Sequence, residues 1–108
     1  MTTYAAQSPS ASGVVLTFHA AASGDKISGI KNAGRLIVKN GSGGAITVTI
    51  TPPGTTEYGV TNPVKTVSVA DGAEEMITLL RAYRNSADSF NIALSWSGTS
   101  SVTWAATL

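Results

Sequence analysis

The feature that most constrains the fold is a charge-free stretch, residues 89–108, in which apolar and small polar side chains alternate. A period of two is typical of a β-strand that buries one face. Two such runs flank a Gly-Thr-Ser turn, so the sequence predicts a β-hairpin. The expected register pairs Trp96 with Val102 and Leu94 with Trp104. The opposite face of this hairpin would be polar but uncharged, which suits packing against another protein.

Similar strand signals recur along the chain at short intervals. Asn40 and the glycines after it separate two alternating runs, residues 35–39 and 45–51. They predict a second hairpin, because Asn and Gly tolerate positive φ. On one face of the second run lies a threonine ladder formed by Thr47, Thr49 and Thr51.

One segment, residues 71–84, fits two interpretations. A capping-box spacing at its start and apolar residues at helical intervals favour a helix. β-branched side chains and a tight turn directly after a strand favour a further strand. We predict a strand that ends near Leu80, followed by one helical turn through Arg84.

The pattern as a whole predicts an all-β fold, an antiparallel β-sandwich or small jelly roll of about seven short strands. Residues 1–13 are rich in Ser, Thr and Ala, and we interpret them as an extended N-terminal arm. Residues 14–108 would then form one β-sandwich domain. Because an arm of this composition is seldom ordered by itself, we expect a neighbouring subunit to hold it.

Charge is sparse and clustered, which limits the classes of function. Charged residues make up 12% of the chain and give a net charge of +1, and all of them lie within residues 25–39 and 57–88. This balance gives no general attraction to nucleic acid or to an anionic membrane surface. No apolar run is long enough to cross a bilayer, and the first residues do not resemble a secretory signal. We therefore expect a protein that is made in a cytoplasm.

No residue set in the sequence predicts catalysis, a metal site or a cofactor. With His19 as the only histidine and with no cysteine, the chain cannot form an ordinary structural zinc site. The acidic residues lack the spacing of a calcium-binding loop. The glycines of residues 41–44 fit a turn better than a phosphate loop, since no helix pattern follows them. We predict a protein that is not an enzyme.

The candidate contact residues are neutral side chains. Tyr4 in the arm and Tyr58 in a loop are aromatic residues that a core does not readily explain. Thr49 lies on the threonine ladder, and Ser95 and Thr103 lie on the polar face of the hairpin expected in residues 89–108. We predict that these five residues contact a partner.

Residues 34–50, with the sequence GRLIVKNGSGGAITVTI, resemble a family of small all-β virion proteins that tailed phages encode beside the major capsid protein. The family pattern is roughly Gly-Arg, an apolar strand that ends in Val-Lys-Asn-Gly-Ser-Gly, and a Thr/Val strand. Residues 21–25, 67–73 and 90–107 resemble its lead-in, its later turn and its closing hairpin. Ala70 and Asp71 stand where the family pattern has Pro-Ala.

The resemblance implies a capsid decoration, or cement, protein that stabilises the shell from the exterior of the virion. Its partners would be the major capsid protein and further copies of itself, with a trimer as the expected form. Another structural role in the phage particle stays open, as a tail-tube, head-completion or fibre module. A carbohydrate-binding β-sandwich is the remaining alternative, because sandwiches host many functions.

Overall fold

A computed structural model describes residues 2–55 and 57–108 of the chain. The described residues form nine strands and two short 3-10 helices. The strands are β1 (Thr3–Ala5), β2 (His19–Ala20), β3 (Lys26–Ser28), β4 (Ala33–Asn40), β5 (Ile46–Thr51), β6 (Lys65–Val69), β7 (Glu74–Leu80), β8 (Ile92–Trp96) and β9 (Val102–Thr107). The 3-10 helices are η1 (Arg81–Tyr83) and η2 (Ser86–Asp88).

The strands form two sheets that enclose one core. The five-stranded sheet has the order β1-β3-β8-β5-β6, and the four-stranded sheet has the order β2-β9-β4-β7. Among the described strands, neighbours are antiparallel except for β1 and β3, which are parallel. This architecture confirms the predicted all-β sandwich, with nine strands instead of about seven.

The core forms because alternate residues of each strand point between the sheets. Both sheets contribute β-branched and aromatic side chains that are fully buried, including Val38, Val48 and Trp104. The alternation predicted for residues 89–108 holds in β8 and in most of β9, but Ala105 is buried although it was expected on the polar face. The alternation also fails at both ends of the range. Phe90 is 50% exposed and has a left-handed backbone (φ 61°), and Leu108 is 37% exposed.

The hairpin expected in residues 89–108 is wrong, because β8 and β9 lie in different sheets. β8 pairs with β3 and β5, so that Trp96 lies opposite Val48. β9 lies between β2 and β4, where Trp104 pairs with His19 and Val38. The connection between β8 and β9 carries the chain across the sandwich. Their apolar faces therefore meet across the core and do not lie side by side.

The hairpin expected around Asn40 is wrong for the same reason, since β4 and β5 also belong to different sheets. The Asn40 side chain is buried and donates to the carbonyl oxygens of Gly44 at 2.8 Å and Val69 at 2.9 Å. Its Oδ1 accepts from the Ser42 amide at 3.0 Å and from the Ser42 hydroxyl at 2.7 Å. These four bonds satisfy a buried amide fully and fix the crossing between the sheets.

The ambiguous segment resolves as predicted. β7 ends at Leu80, and η1 follows over Arg81–Tyr83. The strand is favoured because Ile77 and Leu79 bury one face of β7 while the alternate residues face solvent.

The start of the N-terminal arm belongs to the domain itself. β1 pairs with β3, and Tyr4 lies opposite Ile27. Gln7 then bonds to the four-stranded sheet, because its backbone N–H donates to the Ala106 carbonyl oxygen at 2.8 Å. A neighbouring subunit is therefore not needed to order this part of the arm.

No helix in the described part of the chain is long and apolar enough to span a membrane.

Candidate functional site

The candidate site is the outward surface of the five-stranded sheet, and its centre is β5. The inward residues Ile46, Val48 and Ile50 are buried. The alternation of the strand turns the three threonines outward, with Thr47 and Thr49 half-buried and Thr51 exposed.

The strands on either side of β5 extend the same chemistry. Thr49 lies between Thr66 of β6 and Ser95 of β8. Neighbouring strands lie about 4.8 Å apart, so opposed side chains touch. We call the resulting surface the hydroxyl face, and it consists of Thr47, Thr49, Thr51, Thr66, Ser68, Ala93 and Ser95.

The hydroxyl face carries no charge, and the cation that borders it on β3 is already paired. Lys26 of β3 lies opposite Ala93 at the border of the face. Its ammonium group lies 2.6 Å from the carboxylate of Asp88. Within the described part of the chain, no hydrogen bond engages the side-chain hydroxyls of the face. These hydroxyls are therefore available to donate to, or accept from, a partner.

The structure brings together only two of the five predicted contact residues. Thr49 and Ser95 are direct neighbours on the hydroxyl face. Thr103 lies on β9 opposite Lys39 and Ala20, in the other sheet. The expectation that Ser95 and Thr103 share one face is wrong, because it depended on pairing β8 with β9.

The two tyrosines differ in their surroundings. The ring of Tyr4 stacks on His19 with a centroid distance of 3.8 Å and meets Trp104 edge-on at 5.3 Å. Packing within the domain thus accounts for Tyr4. Tyr58 is 92% exposed in the loop between β5 and β6, and Val60 nearby is 64% exposed. The contact role predicted for Tyr58 stays a prediction.

The buried carboxylate of Asp25 was not predicted from the sequence. This residue is 1% exposed, and its Oδ2 accepts from the indole nitrogens of Trp96 and Trp104, each at 3.0 Å. The same oxygen accepts from the Ala22 amide at 2.8 Å. Because Trp96 and Trp104 come from different sheets, Asp25 joins the two layers at this point. Two inward-facing indole N–H groups were the signal, since a buried indole needs an acceptor.

Two small clefts lie on the described part of the molecule. Two clefts of about 230 and 210 Å³ share Arg35 and Leu108 among their lining residues. Pockets for small molecules usually measure about 300–1,000 Å³. Neither cleft is lined by His19 or Asp25. Within the described residues, no group of three His, Cys, Asp or Glu side chains is placed to hold a metal ion.

Comparison with known proteins gives no match to a family model, to a curated protein or to a solved structure.

Proposed function

We propose that this protein is a non-enzymatic structural protein of a virion, which binds the outside of a tailed-phage capsid as a decoration, or cement, protein. The observation that carries the proposal is the hydroxyl face, an uncharged surface on three adjacent strands whose hydroxyls have no partner within the described residues. The partner in this proposal is the major capsid protein.

A neutral hydroxyl face suits attachment to another protein surface. Burying a charged side chain carries a large desolvation cost unless the charge is paired, and the hydroxyl face has no charge to desolvate. Ser and Thr side chains are short, so ordering them costs little rotamer entropy. Their hydroxyls can donate and accept, and the threonine methyl groups add apolar contact. Each contact is weak, but a capsid presents many equivalent sites.

The sequence resemblance supports the same surface. Residues 34–50 include β5 up to Ile50, and the Thr/Val strand of the family pattern corresponds to the strand that places Thr49 at the centre of the hydroxyl face. A protein that binds the assembled shell but not its dissociated subunits stabilises the shell by mass action. This is the physical basis of a cement function.

The proposal is tested with Thr49→Glu and with Thr103→Glu as the matched control. Both threonines are half-buried on outward sheet faces, so the same charge is added to opposite sides of the molecule. We expect Thr49→Glu to weaken capsid binding by tenfold or more, since a carboxylate at a dry contact costs well over 1.4 kcal/mol. Thr103→Glu should bind like the wild type.

Binding is measured by co-sedimentation with undecorated capsids assembled from a major capsid protein encoded in the same genome, and circular dichroism checks the fold of each variant. Failure of the wild type to bind such capsids would refute the capsid role. Normal binding by Thr49→Glu would refute the hydroxyl face as the contact. Loss of binding by Thr103→Glu alone would move the contact to the four-stranded sheet.

A further inference from the structure

β7 is the longest open edge strand of the molecule. Within the described part of the chain it pairs with β4 alone, so the backbone groups along its other side have no strand partner. Folded proteins commonly protect such edges with short strands, lysine or proline. The other three sheet edges fit this rule, because β1 and β2 have three and two residues and β6 begins with Lys65 after Pro63. β7 has seven residues and neither lysine nor proline, and its two charged side chains, Glu74 and Glu75, lie only at its start.

The outward face of β7 is apolar where it meets this open edge. Met76 is 66% exposed and Leu80 is 47% exposed, and Thr78 lies between them. On the neighbouring strand, Ile37 lies opposite Met76 and continues the apolar surface. An exposed edge with apolar side chains is a template for pairing with another strand.

The sequence of β7 is complementary to itself when two copies run antiparallel about a two-fold axis at Thr78. Met76 of each copy then lies opposite Leu80 of the other, which covers both exposed apolar side chains. Glu75 directly precedes the paired residues, and Arg81, the first residue of η1, directly follows them, so opposite charges come close at both ends of the contact. A register centred one residue earlier, on Ile77, would instead place Met76 against Thr78 and Leu80 against Glu74.

This register also satisfies the geometry of a sheet. Paired residues are separated by an even number of positions, so inward-facing residues meet inward-facing residues. For the same reason, backbone groups that point away from β4 in one copy meet those that point away from β4 in the other.

We propose that β7 is a homodimer interface in which two copies pair along residues 76–80 and join their four-stranded sheets into one continuous sheet. The occupant is a second copy of this chain, because both the apolar side chains and the charges match across a two-fold axis. The inference is independent of the capsid role, since the hydroxyl face lies on the other sheet and stays open in the dimer.

The test is sedimentation velocity of the free, full-length protein over a series of concentrations from micromolar to millimolar. We expect a reversible monomer–dimer equilibrium. Thr78→Lys places two ammonium groups together at the axis and should weaken the dimer by tenfold or more. Thr78 is exposed, so the monomer should keep its fold, which circular dichroism checks.

Charge reversal tests the register. Arg81→Glu and Glu75→Lys each create like charges at both ends of the contact, and each should raise the dissociation constant about tenfold at low salt. An equimolar mixture of the two variants should recover the dimer as a heterodimer, because opposite charges again meet at both ends. The control for Glu75→Lys is Glu57→Lys, which makes the same charge change in an exposed loop and should leave the dissociation constant of the dimer unchanged.

A wild-type protein that stays monomeric at all these concentrations, or that sediments as a trimer, would overturn the proposal. So would a dimer that Thr78→Lys leaves intact. A mixture of Arg81→Glu and Glu75→Lys that fails to recover the dimer would overturn the register.

Discussion

Replacing Asp25 with alanine should destabilise the domain more than any surface substitution. Its carboxylate oxygen accepts three hydrogen bonds, from the Ala22 amide and from the indoles of Trp96 and Trp104. A hydrogen bond to a charged acceptor contributes about 1.5–3 kcal/mol. The substitution leaves the indole of Trp104, which is fully buried, without an acceptor.

The relief of a desolvation cost offsets part of the stability that Asp25→Ala loses. The second carboxylate oxygen of Asp25 is buried and has no hydrogen-bond partner among the described residues, and removing a buried charge relieves its desolvation cost. Three bonds at the lower end of their range sum to about 4.5 kcal/mol, and we expect about 3 kcal/mol to remain as net destabilisation. Domains of this size are stable by about 5–15 kcal/mol, so the variant should fold but melt early.

Urea unfolding followed by tryptophan fluorescence measures this loss directly, because both tryptophans of the chain donate to Asp25. With an m-value of about 2 kcal/mol/M, the midpoint should fall by about 1.5 M. Asp25→Asn keeps an acceptor of the same shape and should lose less than half as much. A stability of Asp25→Ala within about 0.5 kcal/mol of the wild type would refute the role given to this carboxylate.

Two further substitutions test the packing. Gly34→Ala would place a methyl group 2.6 Å from the Thr107 carbonyl oxygen and against the Ile30 side chain. It should lower the free energy of unfolding, measured by thermal unfolding, by about 1–3 kcal/mol. Its control is Gly44→Ala, which has open space around it and should change the free energy of unfolding by less than about 0.5 kcal/mol. Tyr4→Ala should lower the free energy of unfolding by about 2 kcal/mol, because its ring packs on His19 and Trp104. Tyr58→Ala should leave stability unchanged, and equal losses for the two tyrosines would contradict the packing described for Tyr4.

The sequence predicted which side of each strand is buried better than it predicted which strands pair. Alternation correctly placed Ile92, Leu94, Val102 and Trp104 in the core. Alternation has the same appearance whether two strands lie side by side in one sheet or face each other across a core. The turn sequences that suggested hairpins, including Asn40 and its glycines, instead carry the chain between sheets.

For the candidate site too, the features of a single strand were predictable from the sequence, whereas the pairing of strands was not. The threonine ladder is a property of one strand, so it was visible in the sequence as Thr47, Thr49 and Thr51. Joining Ser95 to Thr49 required the pairing of β5 with β8, which links residues far apart in the chain. The two indoles indicated that a buried acceptor was needed, but the identity of that acceptor, Asp25, was not predictable, because it depends on the relative placement of both sheets.

The crossing connections have a consequence for how the chain folds. Of the strands adjacent in sequence from β4 onward, only β5 and β6 pair with each other. Local hairpins can therefore contribute little to early folding, and long loops must close before most strands find partners. β9 lies inside the four-stranded sheet, between β2 and β4. That sheet cannot close until residues 102–107 have been synthesised, so the domain should fold after this strand leaves the ribosome, slowly and in one cooperative step.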